Sequence, residues 1–173
     1  CWVSTFIPSS TAVTQVLASY RRSLDRSVRT LVDRFDVVDV ARKVVGVGSV
    51  GMRSFIILLE ADGQPLFLQL KEATRSVIEP HAGSAGFRNH GQRVVVGQRT
   101  MQAASDMFLG WVRYAPLGQD YYVRQLRDMK GSAPIEQMGG RGLMLYAALC
   151  GQTLARAHAR GGDAATIAGY VGR

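Results

Sequence analysis

Two features of the sequence could do phosphate chemistry: the run Gly46-Val47-Gly48-Ser49-Val50-Gly51 and, twenty residues on, Lys71. Glycines in a GxGxxG spacing let a backbone approach a phosphate closely and present N–H groups with no side chain in the way. Ser49 adds a hydroxyl donor, and a lysine on a neighbouring strand adds a positive charge for the same anion.

The spacing after Gly51 separates two kinds of loop. In a dinucleotide-binding Rossmann unit the glycines open a helix, whereas in a protein kinase they sit at the tip of a strand-turn-strand. Only ten residues lie between Gly51 and Asp62, and they include Phe55-Ile56-Ile57-Leu58-Leu59. That is too short for a helix followed by a second strand, and its residue types favour a strand. Asp62-Gly63 then joins this stretch to Leu66-Phe67-Leu68-Gln69-Leu70-Lys71 as a tight antiparallel hairpin would. Alternation puts Lys71 on one face with Phe67 and Gln69, opposite Leu66, Leu68 and Leu70. The plainer reading of Lys71 is a solvated lysine on the polar side of an edge strand; the loop and the lysine together favour the phosphate reading.

The elements that must hold these residues follow from periodicity. Val13, Val16, Leu17, Tyr20, Leu24, Val28, Leu31 and Phe35 fall on one face of a helix starting after Pro8-Ser9-Ser10. Three strands are expected at about 38–46, 52–60 and 65–72. A helix capped by Asn89 then carries Val94, Gly97, Met101, Ala104 and Phe108 on one face. A second hairpin, about 108–114 and 121–127, turns at Pro116-Leu117-Gly118. A last helix runs to about Arg160 with Leu143, Ala147, Cys150, Leu154 and Ala157 inward, and Gly161-Gly162 ends it. This predicts an α+β fold: a five-stranded antiparallel sheet, a helix packed on it, and flanking N- and C-terminal helices. The chain divides into an N-terminal segment and helix (1–36), the sheet with its helix (37–131), and a C-terminal helix and tail (132–173).

Composition narrows the class. With 173 residues, 47% apolar and 20% charged, the chain suits an ordinary globular protein. No apolar run approaches the roughly 20 residues of a membrane span. The net charge of +8 is compatible with an anionic partner, although basic residues are spread along the chain apart from groups such as Arg21-Arg22 and Arg124, Arg127 and Lys130. Aromatic residues are sparse on the basic strands beyond Tyr121 and Tyr122, which disfavours nucleic acid. Two cysteines, Cys1 and Cys150, and three histidines form neither a disulfide scaffold nor a metal spacing, so a reducing cytoplasm is the expected compartment. A chain opening on Cys1 reads as a portion of something longer.

Phosphoryl transfer further needs a base and oxygen ligands for magnesium. His158 and Asp163 occupy a plausible place in the chain, but Asn89 is the only asparagine, no Asp-Phe-Gly-like triplet occurs, and Asp163 leads into Ala-Ala-Thr-Ile. His158 is expected at a helix C-terminus, and neither residue is assigned a catalytic role. The helix after Lys71 also lacks the glutamate that pairs with the kinase lysine, since no acidic residue lies between Glu79 and Asp106. Glu72, Glu79 or a residue outside the chain is left as its acidic partner, with Gln92 or Gln98 as a neutral one.

From about Tyr20 onward the chain resembles the bacterial domain-of-unknown-function family twenty-two fifty-two, common in actinobacteria. The resemblance rests on DVARKVVGVGSVGMR, PLFLQLKEA, NHGQRVVVGQRTMQAASDMFLGW, DYYVRQLRDMKGS and LARAHARGGD. It implies the protein-kinase and aminoglycoside-phosphotransferase fold in circularly permuted order. Full-length members carry a Gly-Asp-Ala-His-x-x-Asn-Phe motif and an Asp-Phe-Asp segment ahead of the glycine loop. On that basis the present chain corresponds to a kinase-like N-lobe that binds ATP with magnesium through residues 46–51 and Lys71, without metal ligands or catalytic residues of its own. An unidentified small molecule or protein would be the substrate, and the chain alone would be inactive. The alternative from the residues themselves is a non-enzymatic regulatory or scaffold module of the same fold.

Overall fold

The computed structural model describes residues 10–43, 51–127 and 131–172. Its contacts divide into two units, residues 1–96 with 106–126 and residues 97–105 with 127–173, the boundary falling within one helix.

The first unit is built on an open five-stranded antiparallel sheet: β1 (Asp36–Arg42), β2 (Ser54–Ala61), β3 (Gln64–Ala73), β4 (Gly110–Tyr114) and β5 (Gln119–Gln125), in the spatial order β1-β2-β3-β5-β4. The β2–β3 hairpin closes through Asp62 and Gly63, both at positive φ (51° and 74°), as a two-residue turn between right-twisted strands requires. Gly118, at φ +61°, ends the short 3₁₀ turn Ala115–Leu117 that joins β4 to β5. Both hairpins fall where the turn residues predict them.

Period-two alternation divides the sheet. Ile57, Leu59, Leu66, Leu68, Leu70, Val112, Tyr121 and Val123 are buried in one cluster with Val13, Leu17 and Tyr20 of α1 (Ser10–Arg22) and Val28 and Val32 of α2 (Arg26–Val32). Each such apolar side chain contributes roughly 1.5–3 kcal/mol of burial, which holds these helices on the sheet.

The single long helix expected from the apolar spacing is broken at Ser23–Asp25, because side chains compete with the helical ladder there. The Ser23 hydroxyl donates to the Tyr20 carbonyl (2.6 Å) and accepts the backbone N–H of Trp111 (2.9 Å). The Arg29 guanidinium donates to the carbonyls of Arg21, Arg22 and Leu24, taking up the orphan acceptors at the end of α1. Arg21 does the same for α2 through Val32 and Phe35 and pairs with Asp33 at 3.1 Å. The Arg21 side chain of the Arg21-Arg22 pair is therefore spent on helix ends.

Tyr20, fully buried, donates to the Phe108 carbonyl at 2.6 Å. Tyr20→Phe is expected to cost about 1–2 kcal/mol in urea unfolding, because it leaves that buried carbonyl unsatisfied at unchanged volume. A loss under about 0.3 kcal/mol, against that same expectation, would show that the bond contributes nothing net.

Two helices lie between β3 and β4: the short α3 (Glu79–Ala82) and α4 (His90–Met101). Asn89 caps α4 as expected, its side-chain oxygen accepting the Gln92 N–H at 2.9 Å. The helix stops at Met101, seven residues short of Phe108, and its fully buried residue is Val95 and not Val94. Asp106 ends the stretch by accepting the N–H groups of Phe108 and Gln125, which turns Phe108 into the sheet's core instead of along a helix face.

The second unit contains α5 (Gly140–Gly161) and α6 (Ala164–Val171). Helix α5 ends at Gly161-Gly162 as predicted. Of the expected inner stripe only Ala157 is buried; Leu143 and Leu154 are exposed, and so is the Cys150 thiol, which is not packing material. Helix α6 was not expected. Asp163 starts it, accepting from the Ala165 N–H and the Thr166 hydroxyl, and these bonds, the hydroxyl's first, hold its carboxyl below the ordinary range. No described helix is long and apolar enough to cross a membrane.

Candidate functional site

The site begins where β1 and β2 meet. The Lys43 N–H donates to the Ser54 carbonyl at 2.8 Å, closing the ladder at the base of the connecting loop. Gly46, Val47, Gly48, Ser49 and Val50 lie outside the described residues. Gly51 is described: it is exposed and takes φ +82°, a left-handed backbone that favours glycine.

Lys71 lies beside this loop base, in register with Ser54 on β2 and with Tyr122 on β5. It is half-buried and on the face predicted for it, with Gln69 and away from the buried Leu68 and Leu70. The strand is interior, between β2 and β5, and not the edge strand of the plainer reading.

A polar ladder runs next to the lysine. Ser54 is 1% exposed and Gln69 4% exposed, and the Gln69 amide donates to the Ser54 hydroxyl at 3.4 Å. The Arg124 guanidinium donates to the Gln69 carbonyl oxygen at 3.1 and 3.3 Å. Buried polar groups are costly unless partnered, so this ladder fixes the rotamers beside Lys71. Ser54 had no role in the sequence reading and Arg124 only a general one, because β3 and β5 meet across some fifty residues of chain.

Within its unit the Lys71 side chain makes no hydrogen bond or ion pair with a described residue. The carboxylates nearest in sequence are committed elsewhere. Glu72, one residue on and hence on the other face, accepts the Arg53 backbone N–H at 2.9 Å. Glu79 pairs with Arg75 at 2.9 Å, and that contact is the main cause holding its carboxyl below its ordinary range. Asp120, 5% exposed, accepts the His90 N–H (2.8 Å) and the Asn89 amide (3.0 Å), with Arg113 at 3.8 Å; it ties the start of α4 to β5.

Magnesium fits this set poorly. No group of three or more His, Cys, Asp or Glu gathers among the described residues. His158 lines a groove between α5 and α6 with Leu154 and Ile167, and Asp163 is a helix cap.

The geometry defines an α+β protein with an open five-stranded antiparallel sheet and helices. The chain belongs to the DUF2252 family, described as an uncharacterized protein conserved in bacteria, whose sequence model matches residues 7–173. No curated protein and no solved structure matches the chain.

Proposed function

We propose that this chain is the nucleotide-binding lobe of a kinase-like phosphotransferase, taking ATP with its phosphates between residues 46–51 and Lys71. The observation that carries the reading is the placement of Lys71: an interior-strand ammonium in register with Ser54, at the base of the glycine loop, with no acidic partner among the described residues of its unit. The chain order supports it, since glycine loop, hairpin, lysine strand, helix and second hairpin follow one another as in kinases. The kinase-like fold implied by the sequence resemblance, and a cytoplasmic location where ATP is available, are parts of this same reading. On this reading the base and metal ligands are not among the residues assigned here.

Magnesium-ATP should raise the melting temperature of the protein, and Lys71→Ala should weaken ATP about tenfold by calorimetry, equivalent to about 1.4 kcal/mol. Equal affinity in the variant, or no stabilisation in a longer family member, would remove the assignment. A second reading, a non-enzymatic regulatory or scaffold module, is favoured by the exposed apolar side chains of α5, among them Met144 (70% exposed), Leu145 and Leu149. It predicts no response to ATP in either protein.

A further inference from the structure

The other face of the same sheet holds a cavity of about 430 Å³ between α1 and the β1–β2 end of the strands. Val16 of α1 and Phe55, Ile57 and Leu70 of the sheet make its walls apolar. Its size is that of pockets that enclose a small organic molecule. It lies on the opposite side of the sheet from Lys71, so the nucleotide reading makes no use of it.

One charged group in the lining is only partly satisfied. The Arg53 guanidinium hydrogen-bonds the Tyr121 phenol, but its Nη1 is buried with no acceptor among the described residues. Leaving a guanidinium nitrogen unpaired against an apolar wall is unfavourable, and buried donors in folded proteins are nearly always satisfied. The nearest carboxylate in sequence does not serve it: Glu72 is bonded to the Arg53 backbone, and the two side chains form no ion pair. Arg42, exposed at the rim of the same cavity, has no ion pair within the described residues either. Tyr121 adds no negative charge: burial, and after it the nearby Glu72 carboxylate, push its phenol above the ordinary value, against the opposing hydrogen bond and charge of Arg53. The lining is therefore a hydrophobic chamber with positive charge and an empty donor.

We propose that this cavity binds a small amphipathic anion, a monocarboxylate whose aliphatic body lies against Val16, Phe55, Ile57 and Leu70 and whose head is held by Arg53, with Arg42 at the rim. A carboxylate matches the planar guanidinium fork and supplies the missing acceptor. Each methylene buried tightens binding about fourfold, so affinity grows with chain length until the chamber is filled. A phosphate dianion is disfavoured, since its remaining oxygens would meet apolar walls.

The test uses octanoate, with 1-octanol as the uncharged probe of the same length, titrated calorimetrically into the protein. Octanoate is expected to bind about tenfold more tightly than octanol, the worth of one charge-assisted hydrogen bond. Arg53→Gln should erase that preference, weakening octanoate about tenfold and octanol less than about twofold. Val16→Trp, which fills the chamber from its partly exposed wall, should abolish binding of both while the variant still unfolds cooperatively. Lys71→Ala should leave octanoate unchanged, which keeps this site distinct from the nucleotide reading. Equal affinity for the two probes, insensitivity to Arg53→Gln, or no binding by the intact chain overturns the proposal. So does binding seen only after removal of residues 1–9, which would give the chamber to the chain's own N-terminal segment.

Discussion

Asp120→Ala is expected to lower the unfolding free energy by about 3 kcal/mol, because two hydrogen bonds to a buried carboxylate are lost and a helix N-terminus is left unpaired. The carboxylate accepts the His90 N–H and the Asn89 amide, and Arg113 is its ionic neighbour. Helix α4 has no acidic residue in its first turn, so Asp120, reaching across from β5, supplies the negative charge that this end of the helix favours. The loss amounts to a large share of the 5–15 kcal/mol typical of a domain. Asp120→Asn, which keeps an acceptor of the same shape, should recover about half of it by the same reasoning. Urea unfolding gives both values, and amide exchange at His90 gives the local opening. Wild-type stability in the alanine variant would show that α4 is held on β5 by packing alone.

Gly91→Ala should also destabilise the fold, against the usual gain from removing a helical glycine. Alanine is worth about 1 kcal/mol over glycine inside a helix. At Gly91, however, a methyl group would press on the Tyr121 carbonyl, whose carbon lies 2.6 Å from the added atom, and the neighbour is strand backbone that cannot rotate away. Overpacking of this kind costs about 3 kcal/mol, so the net effect is a loss of about 2 kcal/mol. Gly97, in the same helix with no atom within 4 Å of the added methyl, is the control. Gly97→Ala should stabilise by about 0.5–1 kcal/mol. The two substitutions moving the melting temperature in the same direction would mean that the close approach of α4 to β5 can relax at little cost.

Local signals carried the strands well. Asp62-Gly63 fixed the first hairpin, Pro116-Leu117-Gly118 the second, and Asn89 the start of α4, because each of these residues acts on its own backbone within a few positions. The alternation that puts Lys71 opposite Leu68 and Leu70 is likewise a property of the strand itself. Errors arose where a distant partner overrode a local period. The apolar spacing of residues 13–35 continues through Ser23, yet the bonds of Ser23 with Trp111 and Tyr20 and of Arg29 with Arg21 end the helix there. Phe108 continues the period of α4, yet Asp106 diverts it into the core. Cys150 sits on an apolar helical stripe that nothing in the described structure buries. Helix α6 was missed although Asp163 and the following Ile167 and Val171 are a legible start and an apolar face.

By itself the sequence determined the composition of the sheet, its turns, the face on which Lys71 lies, and family membership over residues 7–173. These are short-range quantities, set by dihedral preference and by a side-chain period that repeats every two residues. Only the tertiary structure decided that β5 lies between β3 and β4, that Gln69 and Arg124 line up beside Lys71, and that Glu72 and Glu79 are taken by Arg53 and Arg75. It also placed the Arg53 guanidinium in an apolar chamber without an acceptor. Those contacts join residues far apart in the chain, and which of many compatible pairings forms is settled by burial of the whole apolar face at once.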